Sequence, residues 1–364
     1  MRLLSLQAVQ YRNIEEANLV PGRELTVICG NNGQGKTNLL EAVWLLTGGK
    51  SFRGGKDAEL IRRGAPFAAL EAVTQRDDGV ESQVRITVGP PGSEKPGRRA
   101  RVNGVDRGRA ASIAGGFPAV VFDPGHLSLV KGSPDGRRKF LDAALCQMYP
   151  GYLTVYRRYT RAMTQKNALL KKYEITTGAA DILEALNCEL AVRGEEIQRR
   201  RLAYLELIGP FAVENYARLS RGAEVLRLQY QPMFQPGELL TLMHQHRNEE
   251  IRAGMSLYGP HREDFEITLD GHSARVYASQ GQQRSAVLSL KLAEAAGVKE
   301  ITGQWPVMLL DDVLSELDEG RKAYLLTRME EKQTFVTSCD DADFLKTDGV
   351  IYRMDKGVLT KVRE

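Results

Sequence analysis

The sequence predicts an α/β fold, a mixed sheet with helices, split by an inserted helical lobe. Three observations lead there. Short apolar runs bounded by glycine or acid alternate with helical patterns near both ends of the chain. The stretch between them, from about Pro134 to Gly254, has helical spacing and little strand signal. A glycine-rich turn, Gly30 to Thr37, stands between the first buried strand and the first clear helix. At roughly 150 residues per domain, 364 residues give about two domains, each able to bury a core. The composition, 42% hydrophobic and 26% charged, excludes a disordered or collagen-like chain. Lys and Arg number 50 against 46 Asp and Glu, and a net charge of +4 is too small to argue for nucleic acid by itself.

The elements follow in order. Leu25 to Cys29 is an apolar run ending in glycine, a buried strand. From Lys36, the spacing of Leu39, Leu40, Val43 and Leu46 is helical until Gly48-Gly49 stops it. Gln83 to Val88 alternates as a strand, Asn103-Gly104 marks a tight hairpin, and Ala119 to Phe122 is another buried strand. In the middle stretch, Leu183, Leu190, Ile197 and Tyr204 recur every seven residues while Arg193 and Arg200 interrupt the second seam position. A long amphipathic helix in a short antiparallel arm is expected. The α/β pattern then resumes: strand from Asp264 to Leu269, helix from Gln280 to Ala296, strand from Val307 to Leu310, helix from Glu319 to Met329, strand from Thr334 to Thr337. The expected organisation is 1–133 and 257–364 as two parts of one head, with 134–256 as the lobe. Four scattered cysteines without a C-x-x-C pair argue against a zinc knuckle or disulfide framework. No apolar run approaches the ~18 residues of a membrane span, and the start turns polar at Gln7 and Gln10. A cytoplasmic location with no membrane partner is expected.

The chemistry-bearing motifs lie on this frame. Gly30-Asn31-Asn32-Gly33-Gln34-Gly35-Lys36-Thr37 fits G-x-x-x-x-G-K-[ST] between strand and helix, followed by Asn38. Glycines let backbone N–H groups point inward at a phosphate, and the helix N-terminus adds partial positive charge. Lys36 is expected to bridge the β- and γ-phosphates of ATP, and the Thr37 hydroxyl to hold Mg²⁺. Val307 to Asp312 is an apolar strand ending in two carboxylates, Asp311 on the metal side and Asp312 the candidate general base or water-positioning group. Asp at position 312 reaches one methylene less than Glu would, so slow hydrolysis is expected. Ser279-Gln280-Gly281-Gln282 opens an apolar-periodic helix, where a serine is also an ordinary N-cap.

The Ser-x-Gly-Gln order resembles the signature segment of ABC-type ATPases, and Ser315-Glu316-Leu317-Asp318 resembles their D-loop. In that class, the signature segment of one subunit closes over the γ-phosphate held by the other. The resemblance therefore adds Ser279, Gly281 and Gln282, and Arg12 near the start, to the nucleotide-binding candidates. Most of the chain separates Lys36 from Asp311, which points to the SMC-like branch of these ATPases. Tyr11-Arg12-Asn13, Lys50-Ser51-Phe52-Arg53, Leu129 to Pro134, Arg137 to Asp142 and Tyr258 to Asp264 carry a whole-chain resemblance to the RecF family of bacterial replication and repair ATPases. That resemblance implies an ABC-type P-loop ATPase head split by a helical lobe. It also implies an ATP-dependent homodimer on double-stranded DNA near single-strand gap junctions, released by slow hydrolysis. RecR and RecO are then the expected partners in loading RecA.

Two departures from the class pattern are visible. No Gln stands near Phe122-Asp123-Pro124, where a Q-loop is expected, and Gly125-His126 occupies the place of an acidic pair. Ser338 stands at or near the switch histidine. Candidate DNA contacts are Arg98 and Arg99 with Arg101, Arg137 and Arg138 with Lys139, and Arg157 and Arg158 with Arg161, each weighed against an ordinary solvated surface. The alternatives to this function are the ATPase subunit of a transporter and a small-molecule phosphotransferase.

Overall fold

The computed structural model describes residues 1–90, 92–94, 96–339 and 349–363. In chain order its principal elements are β1 (Arg2–Tyr11), β2 (Ile14–Leu19), β3 (Leu25–Cys29), α1 (Lys36–Leu45), β4 (Ala68–Gln75), β5 (Glu81–Gly89), β6 (Gly97–Val102), β7 (Val105–Arg109) and β8 (Ala119–Phe122). Next come α2 (Ser128–Lys131), α3 (Pro134–Met148), α4 (Tyr152–Leu170), α5 (Ala179–Leu219), β9 (Leu226–Gln231), α6 (Leu239–Gln245) and α7 (Arg247–Ala253). The chain continues through β10 (Asp264–Leu269), β11 (His272–Ser273), α8 (Ala274–Tyr277) and α9 (Gln280–Thr302). It closes with β12 (Val307–Asp311), α10 (Glu319–Met329), β13 (Thr334–Ser338), β14 (Val350–Asp355) and β15 (Val358–Arg363). These elements form two compact units, Met1–His126 with Leu290–Glu364, and Leu127–Ser289.

The first unit holds two six-stranded sheets, ordered β2-β1-β4-β5-β6-β7 and β15-β14-β3-β13-β12-β8. In the second of these, β8, β12, β13, β3 and β14 run parallel. Parallel strands are buried on both faces, which is why Val307 to Leu310 and Ala119 to Phe122 read as continuous apolar runs. The alternating strands behave differently. Val84, Ile86 and Val88 of β5 turn inward while Glu81, Gln83 and Arg85 turn out. Leu6, Leu70, Ile86, Val43, Leu309 and Phe335 belong to one core that joins the antiparallel sheet, α1 and the parallel sheet. The β6–β7 turn is the one Asn-Gly foretells, with Asn103 and Gly104 both at positive φ.

In the second unit α5 runs for 41 residues and α4 packs against it. Leu183, Leu190, Ile197 and Tyr204 are each no more than 1% exposed, so the seven-residue pattern marks a buried seam. The interrupting arginines are accounted for locally: Arg193 pairs with Glu189 at 3.1 Å, and the Arg200 guanidinium lies 4.7 Å from the Tyr149 ring centre. The middle stretch also contains β9, for which the sequence gives little signal. Its partner β10, expected from the sequence as a strand, lies with it in the second unit in a three-stranded antiparallel sheet, β11-β10-β9. Six alternating residues after the long α5 carry too weak a period to stand out.

Candidate functional site

The site lies at the C-terminal ends of the parallel strands of the first unit, where open α/β sheets place their ligands. After β3 the chain turns through Gly30, Gly33 and Gly35, at φ +151°, +79° and +116°. A Cβ on Gly30 would sit 2.3 Å from the Met354 carbonyl, and one on Gly35 2.7 Å from the Asn13 side chain. Gly30 is thus required by close packing as well as by backbone conformation, and Gly35 by its backbone conformation. Gly35 directly precedes α1, leaving the first amides of that helix without a side-chain cap.

Side chains from distant segments hold this loop in shape. Asn13 Nδ2 donates to the Gln34 carbonyl at 2.9 Å, and Asn38 Nδ2 donates to Asn13 Oδ1 at 2.7 Å. The Lys356 and Gly357 amides bind Gln34 at its side-chain and backbone oxygens, at 2.6 and 2.9 Å. The Lys36 ammonium, 6% exposed, donates to the Gly30 and Asn31 carbonyls and lies 3.6 Å from Cys339 Sγ. Cys339 Sγ in turn contacts Asn32 Oδ1 at 3.1 Å.

The two acids arrive from β12. Parallel register sets Asp311 beside Thr337 of β13, and one residue beyond the Leu310–Phe122 pair puts Asp123 on its other side. Asp311 Oδ1 accepts hydrogen bonds from Thr37 Oγ1 at 2.9 Å and Thr337 Oγ1 at 2.8 Å. Burial raises the Asp311 carboxyl above its ordinary range, the two hydroxyls oppose this, and Asp123 and Asp312 reinforce it. A buried acid short of positive charge, bonded to a loop hydroxyl, is a donor set that fits a hard divalent cation such as Mg²⁺. Asp312 follows at φ +53°, and its amide donates to Thr337 Oγ1 at 2.9 Å. Ser315 Oγ caps this turn through the Asp312 carbonyl at 2.8 Å, and Asp318 caps α10 through the Arg321 amide at 2.9 Å.

One pocket gathers Asn32, Gly33, Gly35, Lys36, Thr37, Asn38, Asp311 and Asp312, eight of the residues named from sequence. Arg53 and Thr337 line it too. Sequence reasoning assigned neither a role. Arg53 has no fixed spacing from the loop motif, and its guanidinium is fixed by Asn38 Oδ1, a contact only the fold creates. Asn13, the brace of the loop, was visible only as part of the resemblance.

Other candidates stand elsewhere. The Arg12 fork is filled by Glu41, at 2.9 and 2.8 Å, and by the Glu59 carbonyl at 3.1 Å. Burial alone would raise the Glu41 carboxyl, but hydrogen bonds from Arg12, Ser51 and Tyr11 bring it below its ordinary range. Ser279, Gly281 and Gln282 lie in the second unit at the start of α9. There the Gln282 amide donates to Ser279 Oγ at 3.3 Å while Gln282 Oε1 accepts from the Ser279 amide at 2.5 Å, a capping box. At the Q-loop position, His126 Nδ1 lies 3.0 Å from the Asp123 amide nitrogen and 2.9 Å from Asp123 Oδ2. Burial would raise the Asp123 carboxyl, but His126, the Gly125 amide and Lys291 hold it below its ordinary range.

The basic clusters divide. The Arg98 side chain, 8% exposed, binds Asp57 at 2.8 Å and the Gly49 carbonyl. Arg137, 7% exposed, grips Asp264 through two 2.7 Å bonds, and Arg138 donates to the Glu263 carbonyl at 2.9 Å. These arginines have internal work to do. Arg99 pairs with Asp106 at 3.4 Å, while Arg157, Arg158 and Arg161 are exposed on α4. His244 and His246 are surface residues that face Glu184 and Glu249. Among the described residues no cluster of His, Cys, Asp and Glu could hold a metal by itself, and no helix is long and apolar enough to cross a membrane.

Comparison with known proteins agrees with this geometry. The family model described as the RecF/RecN/SMC N terminal domain matches residues 2–358. The DNA replication and repair protein RecF of Heliobacterium modesticaldum is 38% identical over 379 residues, covering all of both chains. Its counterpart from Halalkalibacterium halodurans is 36% identical over 376 residues, covering 99% of this chain and 100% of the relative. A solved structure of the recombination mediator protein RecF-ATP in the RecFOR pathway matches with a TM-score of 0.90 at 32% identity, covering 99% of this chain and 97% of that one. With a glycine-rich loop and an acidic strand end meeting at one pocket in an ABC-type head, and relatives aligned from end to end, the chain belongs to the RecF family of DNA replication and repair proteins.

Proposed function

We propose that this protein is an ATP-gated clamp on double-stranded DNA, acting in replication and recombinational repair. The observation that carries the reading is the 2.9 Å bond from Thr37 Oγ1 to Asp311 Oδ1, which joins residues 274 positions apart at one pocket. In this reading the amides of residues 31–38 and Lys36 bind the ATP phosphates, while Thr37 and Asp311 hold Mg²⁺, which supplies charge neutralisation at the transferred phosphoryl group. Asp312 orients the attacking water. Arg12 acts through Glu41 on α1 rather than by touching nucleotide. Ser279, Gly281 and Gln282 complete the site of a second copy, so ATP binding dimerises the protein and hydrolysis releases it. Duplex DNA beside single-strand gaps is the ligand, with RecR and RecO as partners in loading RecA. The family relatives do not favour the transporter or phosphotransferase alternatives.

Slow hydrolysis suits a switch. Asp312 has a short reach, and Ser338, at or near the switch position, cannot take up a proton as imidazole can. Turnover should fall well below the ~10 s⁻¹ of a typical enzyme. Sizing with ATP, with and without duplex DNA, tests the clamp. The wild type should dimerise and Lys36→Ala should stay monomeric; a wild type that remains monomeric with every nucleotide defeats the reading. Asp312→Asn should persist as an ATP-bound dimer, and its rapid dissociation from DNA would remove the role given to that carboxylate.

A further inference from the structure

The outer face of the antiparallel sheet carries arginines in an arrangement the fold does not need. Register places Arg85 of β5 directly opposite Arg101 of β6, and Arg99 of β6 directly opposite Arg109 of β7. Strand parity puts Arg99 and Arg101 on one face. Arg98 and Ala100, between and beside them, point inward and are 8% and 1% exposed. With strands about 4.8 Å apart and alternate residues about 7 Å apart, the four arginines root within a patch of roughly 7 by 10 Å.

Like charges directly opposite one another across strands destabilise a sheet. Two such pairs lie side by side here, and three of the four residues are on interior strands, where a charge is not needed to block edge pairing. The carboxylates nearby, Glu71 and Asp106, offset only part of this charge, and Asp106 stands directly opposite Arg101 in the β6–β7 register. Glu71 meets Arg85 at 3.2 Å and Asp106 meets Arg99 at 3.4 Å, whereas Arg101 and Arg109 form no ion pair among the described residues. The Asp106 carboxyl is held below its ordinary range first by the Gly108 amide and further by Arg99 and Arg101, consistent with a positive field at this end of the sheet. Guanidinium forks match phosphate oxygens, and β5, β6 and β7 carry no aromatic ring on which an unpaired base could stack.

We infer that Arg85, Arg99, Arg101 and Arg109 form a contact site for the phosphate backbone of duplex DNA that requires neither ATP nor a second copy of the chain. All four sit on one sheet of one compact unit, so nucleotide is not needed to assemble them. The site would hold duplex before ATP closes the clamp. This rests on the duplex-binding part of the function proposed above, but not on its ATP-driven dimerisation.

The test uses the full chain without nucleotide, a labelled 30-base-pair duplex, a dT single strand of equal length, and anisotropy across 50 to 200 mM salt. R101Q/R109Q removes one arginine from each like-charged pair and breaks no direct ion pair, losing only the attraction of Arg101 for Asp106 across the strands, so its thermal midpoint should stay within about 2 °C of wild type. Its slope of log affinity against log salt should be shallower by about 1.8, the loss of two phosphate contacts at about 0.9 each. R101K/R109K should keep the wild-type slope. A wild-type slope and affinity in R101Q/R109Q, no nucleotide-free duplex binding by wild type, or tighter binding of the single strand would each overturn the site. Dimerisation with ATP, measured in parallel, reports separately on the clamp.

Discussion

Asp311 shows how one residue can serve the site at the expense of the fold. Its carboxyl is 6% exposed, and burial raises it above the ordinary range against the pull of two hydroxyls. An acid that binds its proton more tightly when folded weakens the native state as pH rises from the ordinary carboxylate range through the raised value. The deficit persists at neutral pH. Asp311→Asn keeps an oxygen for Thr37 and Thr337 and carries no charge, so without nucleotide its thermal midpoint at pH 7 should rise by roughly 2 to 4 °C. The further rise that wild type gains on adding ATP with Mg²⁺ should shrink, because the loop amides and Lys36 remain while the metal site loses its carboxylate. An unchanged midpoint in the absence of nucleotide, checked by scanning fluorimetry, would show that Asp311 is not strained by burial. Glu41 has the opposite sign. Its carboxyl is held low by Arg12, Ser51 and Tyr11, so its stabilising contribution is present above the ordinary carboxylate range and is lost as pH falls through the lowered value.

At the scale of elements, the second unit is held together by buried ion pairs as well as by its apolar seam. Arg201 of α5, 3% exposed, makes two bonds to Asp142 of α3 at 2.9 and 2.8 Å and a third to the Pro260 carbonyl. The Tyr152 hydroxyl donates to the same Asp142 at 2.7 Å. Glu263 accepts from Gln198, from the Tyr230 hydroxyl at 2.6 Å and from the Met233 amide at 2.9 Å, tying α5, β9 and the strand that follows it in the sheet. A buried pair is weak evidence of net stabilisation, but breaking one half leaves an uncompensated charge. Asp142→Ala should therefore cost about 3–5 kcal/mol by denaturant unfolding. A loss near 1 kcal/mol would mean that water reaches the Arg201 guanidinium. Leu190→Ala, on the seam, should cost about 2–5 kcal/mol through the lost transfer energy and the cavity left behind.

At the scale of the molecule, the first unit is made from both ends of the chain. In its parallel sheet β3 lies between β13 and β14, and β8 pairs with β12, so neither N-terminal strand has a neighbour from its own segment. A fragment of residues 1–126 should fail to unfold cooperatively, because two strands would expose unpaired backbone and the core would lose Leu309, Phe335 and Tyr352. Residues 127–289 form a unit from continuous chain and should unfold cooperatively by themselves. Cooperative unfolding of 1–126 would refute this assignment of the sheet. Much of this was legible beforehand. Gly30 to Thr37, the apolar strands, the Asn-Gly hairpin and the seven-residue seam of α5 are local patterns, set by backbone conformation and side-chain period. What the sequence determined by itself was therefore the phosphate loop, the acidic strand end and the order of elements. Only the tertiary structure decided which side chains meet. Register across parallel strands brings Thr337 to Asp311, and a fold-made contact ties Arg53 to Asn38. Close packing sends Arg98 and Arg137 inward while strand parity leaves Arg101 and Arg109 facing out. Such pairings depend on neighbours hundreds of residues away, and no local period records them.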